Sequence, residues 1–135
     1  MKILILCTGN SCRSQMAEAL IKFHYPKFNV FSAGTKPATQ VHPLAIKVMD
    51  EMGLDISNYK PKNVRLFLKE TFDCVITVCG DAQENCPVFT GNVQNKIHIG
   101  FSDPDAFIGN EIDTLNEFRK IRDQINATFS AYWKK

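Results

Sequence analysis

Eight consecutive residues, Cys7-Thr8-Gly9-Asn10-Ser11-Cys12-Arg13-Ser14, combine a thiol, a guanidinium and a run of small, mostly polar side chains. They follow the apolar run Ile3-Leu4-Ile5-Leu6 and precede Gln15-Met16-Ala17-Glu18-Ala19-Leu20, a segment with helical composition. A strand that ends in a small polar loop and turns directly into a helix aims several backbone N–H groups into one concavity, with the positive end of the helix dipole behind them. Such a concavity takes an oxyanion. Gly9 and Asn10 are the residues best suited to a left-handed backbone conformation in the loop. Arg13 adds a planar fork of donors matched to a tetrahedral anion. Cys7 stands at the mouth of the loop, where the field that holds an anion also favours a thiolate at neutral pH. The chemistry expected of this stretch is nucleophilic attack by Cys7 on an oxyanion cradled by Thr8, Gly9, Asn10, Ser11, Cys12, Arg13 and Ser14. Ser14 is expected to donate to the thiolate while opening the helix.

The surrounding pattern shows what must position these residues. Residues 2–6 read as a buried parallel strand and 14–24 as its crossover helix, with Met16, Ala19, Leu20 and Phe23 along one face. Residues 29–34 read as a second strand stopped by Gly34. Pro43 opens a helix to about Met52, carrying Leu44, Ile46, Val48 and Met49 and capped by Gly53. After a short amphipathic segment, 64–68, the run 72–78 is the most β-like in the chain and delivers Cys79 at its carboxyl end. Residues 96–99 read as a last short strand. Residues 113–133 read as a long helix with Leu115, Phe118, Ile121 or Arg122, Ile125, Phe129 and Trp133 near one stripe. The alternation predicts a single α/β domain over 1–135, with a four- or five-stranded mostly parallel sheet and helices on both faces. Ligands of such sheets sit beyond the carboxyl ends of the strands. The loop after the first strand, Cys79, and the turn dipeptide Asp103-Pro104 therefore fall on one edge.

Composition narrows the partners. The 135 residues are 44% hydrophobic and 22% charged, ordinary for one globular domain, and 16 basic against 14 acidic residues leave a net charge of only +2. That balance argues against nucleic-acid or membrane surfaces and for a small anion. The amino terminus lacks the apolar region of a signal peptide and no stretch approaches a membrane span, so the expectation is a cytoplasmic protein. There the five cysteines (Cys7, Cys12, Cys74, Cys79 and Cys86) are reduced unless chemistry uses them. Cys74, inside a strand, reads as core. Cys79 and Cys86 are either small core residues, half of a metal site, or a working pair. His24, His42 and His98 each stand alone in sequence and offer no metal-ligand set.

The segment from Ile5 to Ser14 resembles the signature loop of the low-molecular-weight protein tyrosine phosphatase fold, in its thioredoxin-coupled arsenate reductase branch. Further likeness lies in Phe31-Ser32-Ala33-Gly34, Asp55-Ile56-Ser57-Asn58, Cys79-Gly80-Asp81 through Asn85-Cys86-Pro87, Gly100-Phe101-Ser102-Asp103-Pro104 and Phe118-Arg119-Lys120-Ile121-Arg122-Asp123, nearly the whole chain. A phosphatase needs one nucleophilic thiol and an acid, whereas a reductase must export two electrons. The resemblance implies that Cys7 attacks arsenate, bridged by Arg13, while Asp103 protonates the departing oxygen. Cys79 then attacks Cys7 and expels arsenite, and Cys86 attacks Cys79 to leave a disulfide for thioredoxin. Asp105 stands where phosphatases of this fold usually carry Tyr, which speaks against aryl phosphoesters. Asn10 and Ser32, with Glu18 nearby, are expected to hold the loop's shape. Some members bind potassium there through an acidic residue whose position Lys62 occupies here, so potassium-independent activity is expected. No tightly bound cofactor and a monomer are expected. The rivals are a phosphatase acting on phosphotyrosine or small phosphoesters, and a redox or anion sensor without turnover.

Overall fold

The computed structural model describes residues 1–133. Four strands, β1 (Lys2–Cys7), β2 (Asn29–Gly34), β3 (Phe72–Thr77) and β4 (Val93–His98), form one sheet in the order β2-β1-β3-β4. Every pairing is parallel, with Leu6 level with Ala33 on one side and with Thr77 on the other. The order reverses between β1 and β3. At such a switch point the two flanking crossovers leave in opposite directions and open a crevice beyond the strand ends. Cys7 and Cys79 end up on its two sides for that reason.

Ile3, Leu4, Ile5 and Leu6 of β1 have no solvent exposure, so both faces of the sheet are covered. On one face lies α1 (Arg13–His24), with α4 (Glu111–Ser130) packed on it and α2 (Pro43–Asp50) packed on α4. Ser32 points to this layer, where its hydroxyl reaches Glu18. Phe31 therefore points to the other face, where its ring meets Phe67 and Phe72, and Phe72 meets Phe89. There the cover is a 3-10 turn (Val64–Phe67) and a short helix, α3 (Gly80–Asn85), rather than full-length helices.

Several elements depart from the periodicity. In α1, residues 14–21 are all buried, because the sheet and α4 enclose the first two turns from both sides. Phe23, expected on the buried stripe, lies in the last turn and is 59% exposed. The helix begins at Arg13 with Cys12 as its N-cap, so Ser14 is its second residue and not the cap. The last strand starts at Val93 instead of Lys96, since an edge strand with one mostly solvated face needs few apolar residues. Helix α4 runs from Glu111 to Ser130 and buries Phe118, Ile121, Ile125 and Phe129, while Leu115 and Trp133 are half-buried. Helix α2 ends at Asp50, two residues early, and Gly53 follows at φ 76°, a value that suits glycine. Among the described residues no helix is long and apolar enough to cross a membrane.

A salt-bridge network ties the end of α2 to α4. Arg119 donates to both carboxyl oxygens of Glu51, and Arg122 donates to Glu51 Oε1 and to the Val48 carbonyl. Arg119 first, and then Arg122, hold the Glu51 carboxyl down from 4.5 to about 2. A carboxylate whose value is lowered by folding contributes stability that is complete above its unfolded value and disappears as pH falls through the folded one. Glu51→Gln should lower the melting midpoint by roughly 2–4 °C at neutral pH. The gap to the parent should close between pH 4.5 and 2, and a pH series of thermal melts checks it.

Candidate active site

The loop from Thr8 to Cys12 joins β1 to α1 at the switch point. Asn10 is its left-handed residue, at φ 50°, and it is the only non-glycine residue with positive φ among those described. Gly9, expected to share that role, does not adopt it. Gly34, at the end of β2, lets the loop come close: a β-carbon there would collide with the Thr8 carbonyl oxygen.

Asn10 is fully buried and organises the loop through a chain of hydrogen bonds whose directions are fixed. Its amide donates to Ser14 Oγ (2.7 Å) and to Ser32 Oγ (2.9 Å), and its Oδ1 accepts from the Lys62 N–H. Ser32 passes its own proton on to Glu18 Oε1 (2.7 Å). Ser14, an acceptor from Asn10, has its proton free for Cys7 Sγ at 2.8 Å. The backbone N–H of Asn10 donates to the same sulfur at 3.2 Å. Gln15 braces the loop from below, donating to the carbonyls of Asn10 and Lys60. Two donors thus converge on the Cys7 sulfur, the arrangement that stabilises a thiolate.

Burial opposes them. Cys7 is 2% exposed, and loss of hydration pushes its thiol up from 9.0, against the downward pull of Ser14, Asn10 and Arg13. The neutral-pH thiolate expected from the loop's field meets this desolvation, which the sequence does not display. Ser14→Ala removes the largest downward influence, so the thiol should rise further. The expected result is about tenfold slower alkylation of Cys7 by iodoacetamide at pH 7, with the rate profile displaced to higher pH.

Cys7, Thr8, Gly9, Ser11, Cys12 and Arg13 line one cleft of about 330 Å³ together with Ala38, Asp103 and Asp105. Arg13 stands between the loop and Asp103: one nitrogen donates to the Phe101 carbonyl at 3.1 Å and another lies 3.6 Å from Asp103 Oδ2. Asp103 caps a second 3-10 turn (Pro104–Ala106) by accepting from the Asp105 N–H. Cys12 is buried, and desolvation first, then the nearby Asp105 and Asp103, push its thiol up to about 12, so it stays protonated.

Cys79 is buried at the N-cap of α3, where its sulfur accepts from the Ala82 N–H and lies 3.3 Å from Thr8 Oγ1. Thr8 in turn donates to Asp81 Oδ2 at 2.9 Å. Cys86 is the C-cap of the same helix, partly exposed, in a second cleft of about 230 Å³ with Lys96 and His98. Burial pushes its thiol up and Lys96 pulls it down. Cys74 is buried, pushed up to about 11 by desolvation and then by Asp73. All five cysteines are free thiols, and no cluster of metal ligands occurs among the described residues.

The structure thus brings Cys7, the loop, Arg13, Asp103 and Cys79 to one crevice and leaves Cys86 one short helix away. Two contributors were not legible. Asp81 sits in a polar run with no signal of its own. His42, read as a lone histidine, instead bonds Asp105 at 3.0 Å. Its place directly before Pro43 was the available clue, because a residue preceding a helix-opening proline is a cap position.

The family model described as low molecular weight phosphotyrosine protein phosphatase matches residues 2–135. Arsenate reductase 1 of Staphylococcus epidermidis is 43% identical over 131 residues, covering 96% of this chain and 93% of that protein. A solved structure of an arsenate reductase in the oxidized state superposes with a TM-score of 0.77 at 32% identity, covering 95% of this chain and 92% of the other. The Corynebacterium glutamicum thioredoxin-dependent arsenate reductase gives a TM-score of 0.67 at 28% identity, covering 98% of this chain and 60% of that one.

Proposed function

This chain belongs to the low molecular weight phosphotyrosine protein phosphatase family, and on that footing we propose that it reduces arsenate to arsenite by a relay through Cys7, Cys79 and Cys86. The observation that most supports the reading is the 3.3 Å contact of Cys79 Sγ with Thr8 Oγ1, a second buried thiol at the rim of the loop that holds the first. Phosphoester hydrolysis has no use for it. The curated relatives named arsenate reductase support the same substrate.

Arsenate docks on the N–H groups of residues 8 to 13, with Arg13 bridging its oxygens. The Cys7 thiolate forms an S–As bond, and Asp103 gives its proton to the departing hydroxide so that water leaves. The Cys79 thiolate then attacks Cys7 Sγ. The S–As bond breaks with its electron pair going to arsenic, which leaves as arsenite, and a Cys7–Cys79 disulfide remains. Cys86 attacks Cys79, freeing the Cys7 thiolate and forming a Cys79–Cys86 disulfide, which thioredoxin reduces with two electrons.

The last exchange requires α3 to open. Cys79 and Cys86 flank the six residues of α3, and the rise of a helix puts them about 10 Å apart, whereas a disulfide needs its Cα atoms within about 7 Å. Opening is cheap here, because α3 is six residues long and buries only Ala82. The product disulfide would lie nearer the surface than Cys7, with the Cys86 cleft as the approach for the external dithiol.

The residues do not fit a potassium ion. The Lys62 N–H occupies Asn10 Oδ1, and Glu18 is already engaged by Ser32 and by Lys22 Nζ, the latter at 2.6 Å. Exchanging sodium for potassium at constant ionic strength should leave the rate unchanged within about twofold.

We place the enzyme in the cytoplasm as a monomer, with no bound cofactor and no nucleic-acid or membrane partner. The test is arsenite formation with thioredoxin, its reductase and NADPH: one NADPH should be consumed per arsenite, and omission of thioredoxin should stop turnover. Steady phosphoester hydrolysis without arsenite would select the phosphatase instead.

A further inference from the structure

His42 joins four parts of the molecule. Its backbone N–H donates to the Ser11 carbonyl in the oxyanion loop (2.9 Å), and its ring lies against Phe118 of α4, with centroids 4.7 Å apart. Its Nδ1 accepts from the Leu44 N–H at 3.0 Å and so caps α2. A nitrogen that accepts carries no proton, so the proton of the neutral ring is on Nε2. Nε2 therefore donates to Asp105 Oδ1, 3.0 Å away. The backbone N–H of Asp105 donates in turn to Asp103 Oδ1 at 2.9 Å. The turn is otherwise lightly held: Pro104 is buried, but residues 105–110 are exposed.

We propose that His42 is a positioning residue for the proton donor, acting through a clasp with Asp105 that holds the Asp103 turn against the oxyanion cleft. The proposal rests on the reading of Asp103 as the acid. Among the described residues, the other polar contact to the Asp103 carboxylate from the cleft side is the 3.6 Å approach of Arg13. Arg13 must also serve the substrate, so it cannot hold the acid alone. Small displacements of a reacting group are costly, so a hydrogen bond remote from the substrate acts on the chemical step and not on binding.

The experiment compares His42→Asn, Asp105→Ala, Asp105→Asn and the His42→Asn/Asp105→Ala double variant with the parent in arsenite formation. Asparagine still caps α2 but is too short to reach Asp105. His42→Asn and Asp105→Ala should each lower kcat about tenfold with KM within about twofold, and the double variant should be no worse than either. Asp105→Asn keeps the acceptor and should retain most of kcat. Asp105→Ala leaves the His42 ring on Phe118, so its melting midpoint and the parent's should agree, whereas His42→Asn, which removes that packing, should melt a few degrees lower. Losses that multiply in the double variant, a loss confined to KM, or a lowered melting midpoint with unchanged kcat would each overturn the clasp. If the parent makes no arsenite, the reductase reading fails, and the same variants are compared on phenyl and 4-nitrophenyl phosphate. The clasp then requires a larger loss on phenyl phosphate, whose leaving group depends more on the acid, and equal losses overturn it.

Discussion

Cys7→Ser is expected to lose arsenate reduction and any phosphoester hydrolysis together, by at least about a thousandfold. The hydroxyl fits the space of the thiol and can keep the contacts to Ser14 and the Asn10 N–H, so the fold and the anion cradle should survive. What disappears is the nucleophile, because a serine hydroxyl ionises far above any pH the loop can compensate. Phosphate binding measured by calorimetry should be retained while both activities vanish. Residual activity of either kind would show that the cradle works without a sulfur at its mouth.

Cys86→Ser is expected to give a different failure: one arsenite per protein molecule, then arrest. The first disulfide, between Cys7 and Cys79, does not involve Cys86, and Cys79 already touches Thr8 of the loop, so that step is expected to proceed. The second exchange lacks its thiol, and the protein stops as a Cys7–Cys79 disulfide. Quantifying arsenite against protein in the first turnover, with thioredoxin present, reads the arrest directly. Continued cycling at the parent rate would remove Cys86 from the relay.

The distance between these two outcomes reflects how differently the two regions were written in the sequence. The first strand, the loop and α1 were legible because an apolar run, a Gly-Asn pair and a helical segment adjoin without a gap, and local chemistry alone selects the turn. The role of Asn10 as a buried hub was only partly so, since its partners Ser32 and Lys62 arrive from 22 and 52 residues away. Helix α3 was not legible: Gly80-Asp81-Ala82-Gln83-Glu84-Asn85 has no apolar periodicity, and its cap is a cysteine sulfur, which no propensity anticipates. The His42–Asp105 bond spans 63 residues and exists only because α2 and the Asp103 turn meet over the loop. The desolvation that raises the Cys7 thiol was equally invisible, because it depends on the sheet and α1 closing over the sulfur.

The most direct measurement of the relay is a thiol count on the reduced protein after a single exposure to arsenate without any external reductant. The five free thiols should fall by two, to three, with one arsenite released per molecule, and peptide mapping should find the new bond between Cys79 and Cys86. Five thiols remaining beside released arsenite, or a bond that joins any pair excluding Cys79, would contradict the account.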